Sequence, residues 1–153
     1  NGWINFRMRA MIMSFASYNL WQPWQKTSPL LAELFTDFEP GIHISQVQMQ
    51  SGVTGINLPR IYSVFKQSLD QDSTAEWTKK MIPQLENVEI ELIHNAELKD
   101  IYFDQIVDPK LSAKKARDTV WAMRKNSDFK KIAREVYLKH GSRKKQHFNR
   151  VSN

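Results

Sequence analysis

The densest chemistry in the sequence lies in DFEPGIHISQVQMQSG, residues 37–52. Two carboxylates, Asp37 and Glu39, stand at its entrance, and a Pro40-Gly41 turn follows. His43 sits between two isoleucines, and Gln46, Gln48 and Gln50 come after it. Histidine ordinarily titrates near neutrality, and its ring nitrogens can donate or accept. Upstream, Arg7 and Arg9 lie inside an apolar run, residues 3–20. A guanidinium is effectively always charged, so a buried arginine requires an anionic partner. That partner is either a nearby aspartate or a ligand. An arginine on one helix and a carboxylate one helix later can close an internal ion pair, or together grip the hydrogen-bonding edge of a planar heterocycle.

Other reactive constellations are missing. The sequence holds no P-loop, no GxGxxG, no HExxH and no serine nucleophile elbow. Its histidines, His43, His94, His140 and His147, lack ligand spacing, so no metal site is expected. With no cysteine, disulfides, iron–sulfur clusters and thiolate zinc sites are excluded.

The positioning elements read as helices. Residues 3–20 contain neither proline nor internal glycine, and their apolar residues cover nearly every face, which predicts a buried helix. Ser28-Pro29 predicts a second helix start, with an apolar stripe of Leu30, Leu31, Leu34 and Phe35 ending near Asp37. Read alone, the alternation of Ile42/Ile44 and Val47/Met49 with polar residues suggests a short strand. From Gly52 to Asp72 no period is visible, and a loop with a helical turn is expected. Ser73-Thr74-Ala75-Glu76 has the form of a capping box opening a helix that carries Trp77, Met81, Ile82 and Leu85. Ser112 and Ser127 read as caps of two further helices, the second stopping at His140-Gly141. Without repeats or a sustained β-pattern, the expected class is all-α.

At 153 residues and 41% hydrophobic, the chain suffices for one domain with a core. No apolar run approaches the ~20 residues that span a bilayer, and no signal peptide is visible, so a soluble, cytoplasmic protein without membrane partners is expected. A start at Asn1, already inside an apolar pattern, suggests a piece of something longer. Charge is uneven. Residues 110–153 hold 14 Lys and Arg against 3 Asp and Glu, a net +11, whereas residues 1–109 hold 8 against 13, a net −5. Such a tail is either a solvated helix face or an attractor of polyanions.

Several motifs at fixed mutual spacing then carry a resemblance. GWINFRMRAMIMSFASYNLWQPW, DFEPGIHISQVQMQSGVTGIN, RIYSVFKQSLDQD and WTKKMIPQL, spanning Gly2 to about Leu85, resemble the C-terminal part of the flavin-binding domain of the DNA photolyase/cryptochrome family. The likeness continues more weakly through IVDPKLSAKKAR to KHGSRKK. The resemblance implies FAD as cofactor. It places Trp3, Arg9, Asp37, Glu39 and Ile42 at the flavin pocket, Asp37 pairing with Arg9, and Glu39 where the family usually has aspartate. His43 falls at the position facing flavin N5, where it would tune the flavin's protonation and redox state. Trp24 matches a middle member of the family's electron-transfer chain, whereas Val47 stands where the flavin-proximal tryptophan is usual. For DNA, Arg7 keeps a basic contact residue, Phe6 replaces an asparagine, and Met49 replaces a tryptophan on which the damaged dimer packs.

The expected organisation is therefore a partial FAD-binding domain over residues 1–153. It has a core at 2–85, an irregular acidic connection at 86–109 and a basic helical tail at 110–153, with the antenna domain absent. The expected activity of the intact protein is blue-light-dependent repair of pyrimidine photoproducts in DNA, a carbon–carbon lyase reaction. The alternatives are a cryptochrome-like photoreceptor that repairs nothing, or a fragment that binds no flavin alone. Expected partners are damaged DNA and the remainder of the photolyase chain, with self-association open to the isolated piece.

Overall fold

The computed structural model describes residues 2–141. The end of the basic tail, residues 142–153 with His147, lies outside the described residues. Among the described residues there are eight α-helices, a π-helical segment and a 3-10 turn and no strand, so the fold is all-α.

Helix α1 (Phe6–Ser14) starts where Asn5 accepts from the Met8 N–H at 3.0 Å. Its inward stripe, Ala10, Met13 and Ser14, is narrower than the composition suggested, because Phe6 and Ile12 remain exposed. The helix continues into a π-helical segment, Phe15–Asn19, whose wider turn carries Tyr18 and Asn19 inward. Asn19 Nδ2 donates to Pro109 O at 3.1 Å and Ser112 Oγ at 3.0 Å, binding this segment to the start of a distant helix. Ser14 Oγ donates to Arg60 O at 2.8 Å in the same manner. Burial pushes the Tyr18 hydroxyl up to about 12, against a smaller opposing effect of Arg124.

Helix α2 (Trp24–Leu34) opens after Pro23, not at Ser28-Pro29. Pro29 therefore sits inside the helix, where it gives up one backbone hydrogen bond. Ser28 is buried and faces the next helix, so its hydroxyl is not available as a cap. The predicted strand is also overturned. Residues 40–50 form helix α3 (Pro40–Gln50), because Glu39 Oε2 accepts the Ile42 N–H at 2.6 Å and Pro40 occupies the first turn. Its buried residues, His43, Val47 and Gln50, follow a helical spacing that includes two polar side chains. Both α1 and α2 pack against α3.

A loop leads to α4 (Val64–Gln71), then α5 (Glu76–Met81), the 3-10 turn Pro83–Leu85 and α6 (Ile90–Asn95). The expected capping box is not formed. Ala75, left-handed at φ 55° and fully buried, precedes α5, and Asp72 caps instead, accepting from Thr78 N at 2.8 Å and Trp77 N at 3.2 Å. Burial pushes the Asp72 carboxyl up, but these hydrogen bonds and one from Thr78 Oγ1 outweigh it and hold it below its ordinary value. Ala75, Leu85 and Ile93 form a small apolar cluster here, joined by Ile82, Val88 and Leu98. Helix α6 thus gives order to part of the connection that reads as irregular.

Helices α7 (Pro109–Lys125) and α8 (Ser127–His140) carry the basic residues. Ser112 lies inside α7. The cap is Asp108, which accepts from Lys110 N at 2.7 Å and Leu111 N at 2.9 Å. Asn126 caps α8, one residue before Ser127, and the helix does stop at His140. Among the described residues no helix is long and apolar enough to cross a membrane.

Candidate functional site: a groove between α1 and α3

The segment before α1 is drawn against the α2–α3 connection by a hydrogen bond from Thr36 N to Gly2 O at 3.0 Å. Gly2 is required there: φ is +69°, and a Cβ would lie 2.7 Å from Leu34 O. Trp3, the next residue, borders with α1 and α3 a groove of about 390 Å³.

Arg9 is the groove's charged feature. Its Nε donates to Ile4 O at 2.9 Å, its Nη2 donates to Asp37 Oδ1 at 2.6 Å, and its guanidinium lies 4.5 Å from the centre of the Phe35 ring. Three contacts thus hold one side chain before any ligand arrives. The hydrogen bond from Arg9 is the main reason the Asp37 carboxyl is held below its ordinary value. Both halves of the pair border the groove.

His43 lies on α3 and is 9% exposed. Its Nε2 is 3.1 Å from both Ser28 O and Ser28 Oγ. A carbonyl only accepts, so Nε2 carries a proton and donates toward α2. Phe35 and Phe38 meet the ring edge-on at 5.9 and 5.2 Å. The ring is thereby wedged between α2 and the phenylalanines, with the imidazole bordering the groove.

Of the residues singled out from sequence, Trp3, Phe6, Arg9, Asp37, Glu39, Ile42 and His43 come together around this groove. Glu39 spends one carboxylate oxygen on the Ile42 N–H, and Ile42 itself is 59% exposed. Arg7, Trp24 and Met49 are not among the lining residues. Arg7 is exposed, and Trp24, at the start of α2, and Met49, near the end of α3, are half-buried. Sequence reasoning passed over Phe35, Phe38, Gln46 and Gln50 as lining residues. Helical spacing from His43 would have found the two glutamines, had residues 40–50 not suggested a strand.

The lining suits a flat, amphipathic ring system. Phe38, Trp3 and Ile42 supply apolar surface, the Arg9–Asp37 pair supplies a charged rim, and Gln46 and Gln50 each leave a buried amide oxygen without a donor. These residues fit one side of a flavin. Among the described residues no three His, Asp or Glu side chains cluster to hold a metal ion.

Comparison with known proteins places the sequence in a family. The sequence model of the family described as the FAD binding domain of DNA photolyase matches residues 1–122, reaching into α7. The chain is 31% identical over 96 residues to a deoxyribodipyrimidine photo-lyase of Buchnera aphidicola subsp. Baizongia pistaciae. That alignment covers 61% of this chain and 20% of the relative's length. No solved structure matches. A family match over most of the chain, on a helical fold that gathers the groove residues, identifies the protein as a member of the family of DNA photolyase FAD-binding domains, with FAD as its cofactor.

Proposed function

We propose that the α1–α3 groove is part of the flavin site of a blue-light-dependent DNA photolyase that acts on pyrimidine photoproducts in the cytoplasm. The observation that carries this reading is the convergence, in one groove, of a pre-formed Arg9–Asp37 pair, a buried His43 and apolar walls. When bound in its reduced form, FAD would supply the absorption of blue light and the electron that splits the dimer, and would recover that electron when the two pyrimidines separate.

The chain's own residues bind, orient and exclude water. Arg9, fixed by Ile4, Asp37 and Phe35, offers a cation that loses little freedom when a ring edge docks against it. Trp3, Phe6 and Ile42, exposed at 65%, 56% and 59%, provide surface that a ring or the remainder of a photolyase chain would cover; left bare, they favour self-association. His43 commits Nε2–H to Ser28, which leaves Nδ1 as the nitrogen that would exchange a hydrogen bond or a proton with a bound flavin, at the N5 position that the resemblance implies. Trp24 would relay an electron toward the groove; since Val47 stands where the resemblance expects the flavin-proximal tryptophan, either Trp21 or Tyr18 would substitute or photoreduction would take a different route. Arg7 contacts a DNA phosphate, Phe6 and Met49 form walls against the flipped lesion, and the basic helices α7 and α8 add salt-dependent attraction.

The photoreceptor reading is favoured by Val47, 4% exposed at the groove where a redox-active ring is expected, and by the changed walls Phe6 and Met49. One experiment separates the two readings. Protein loaded with FAD is illuminated with an oligonucleotide carrying a thymine dimer. Light-dependent loss of the dimer supports the photolyase. Photoreduction of the flavin with the dimer intact supports the sensor, and failure to take up flavin contradicts both.

A further inference from the structure

The groove contains one feature that neither the ion pair nor His43 uses. Gln50 is 2% exposed, and its Oε1 has no hydrogen-bond donor; Gln46 Oε1, one turn earlier on α3, is likewise buried and without a donor. Residues four apart on a helix are neighbours on one face, and both border the groove. Buried polar atoms in folded proteins are nearly always hydrogen-bonded, so two adjacent exceptions, on residues that border one groove, call for a partner. The other buried oxygens without partners, those of Ser17, Tyr18, Thr54 and Gln67, do not border it.

We propose that Gln50, assisted by Gln46, is the specificity-determining acceptor of this groove and receives the N–H of an imide edge on the bound ring. An imide presents one N–H flanked by carbonyls. A glutamine amide answers it on both counts, with Oε1 for the N–H and the NH₂ for a neighbouring carbonyl. The pyrimidine end of a flavin carries such an edge at N3, and so does thymine in DNA. We assign the edge to the flavin, because Gln50 lies on the same lining as the Arg9–Asp37 pair and His43. The assignment rests on the groove being the flavin site.

The test uses this chain and its Gln50→Met variant, with Gln46→Met as a second variant in case the first fails to fold. Melting is followed without ligand, and FAD and an N3-methylated FAD are titrated by flavin fluorescence. Since methionine removes a solitary acceptor without leaving a hole, the variant is expected to melt no lower than the native chain. It is expected to bind FAD roughly 3–10-fold more weakly, the range for one neutral hydrogen bond. N3-methylated FAD, lacking the N–H, is expected to bind native chain and variant alike. Equal affinity for FAD in native chain and variant overturns the proposal and leaves the flavin site standing, as does an equal penalty for the methylated analogue. A lower melting temperature in both variants overturns it too, by showing that the amides are already satisfied within the protein. Weakened binding of a thymine-dimer oligonucleotide with unchanged FAD affinity assigns the edge to DNA and overturns the flavin assignment. Absence of FAD binding to the native chain overturns the flavin site, and this proposal with it.

Discussion

Two buried histidines, one in each half of the helical array, begin alike and end differently. His43 and His94 are 9% and 5% exposed, and each donates Nε2–H to a backbone carbonyl at 3.1 Å, Ser28 O and Ser73 O respectively. His94 then accepts from Ser68 Oγ at Nδ1, 2.6 Å away. Both its nitrogens are spent inside the protein, and the ring fastens α4 to α6 beside a small apolar cluster. The second contact of His43 returns to the same nitrogen, through Ser28 Oγ, and its flanks are the edges of Phe35 and Phe38. Burial therefore does not mark a functional histidine. What separates the two is whether the hydrogen-bonding capacity is exhausted and whether a groove lies beside the ring.

The largest expected effect breaks the saturated member. His94→Leu leaves Ser68 Oγ and Ser73 O without their partner and should cost about 3 kcal/mol of folding stability. Denaturant unfolding measures it, with FAD affinity per folded chain unchanged. A loss within experimental error would mean that His94 does not fasten α4 to α6. Next in size, Arg9→Ala should weaken FAD binding by roughly 30-fold, since a hydrogen bond from a charged group is worth about 2 kcal/mol. Stability should fall little, because Asp37 is 54% exposed and a solvated pair contributes weakly. Arg9→Lys restores the charge without the fork and should recover only part of the affinity.

His43→Asn sharpens the comparison on the other side. It should cost about 1 kcal/mol of stability, the scale of one lost neutral hydrogen bond, while changing the reoxidation rate of photoreduced flavin. An unchanged rate would make His43 a structural residue like His94. The smallest effect is on pH. Arg9 holds the Asp37 carboxyl below its ordinary 3.8. The contribution of the pair is thus fully present above that value and is lost as pH falls through the depressed one. Stability attributable to the pair, taken as native minus Asp37→Asn, should be flat from neutrality to about pH 4. A decline already near neutrality would contradict the assignment.

The legible parts of this sequence were those where a local signal and the tertiary contacts agree. The end of α8 at His140 is of that kind, whereas the Arg9–Asp37 pairing, 28 residues apart, is one that the resemblance implied. The all-α class, read from the helix signals and the lack of a sustained β-pattern, holds among the described residues, and the family match confirms the resemblance that implied FAD. Helix α3 was misread because the alternation of Ile42, Ile44, Val47 and Met49 imitates a strand, while its true inward positions include His43 and Gln50, which a hydrophobic pattern does not count. The serines misled for a related reason. Ser28, Ser73 and Ser112 are all chemically able to cap, but Ser28 is committed to His43 and Ser112 to Asn19, while Asp72 caps α5 ahead of Ser73. Only the assembled chain reveals which hydroxyl is already occupied.

The central claim, that α1 and α3 frame a flavin site, is tested most directly by absorption during gel filtration. Native chain and Arg9→Ala are each mixed with FAD, and the visible spectrum of the protein peak is recorded. Flavin bands that travel with the native chain and are diminished in the variant are the predicted result. A colourless native peak, or a flavin signal that Arg9→Ala leaves intact, would contradict it.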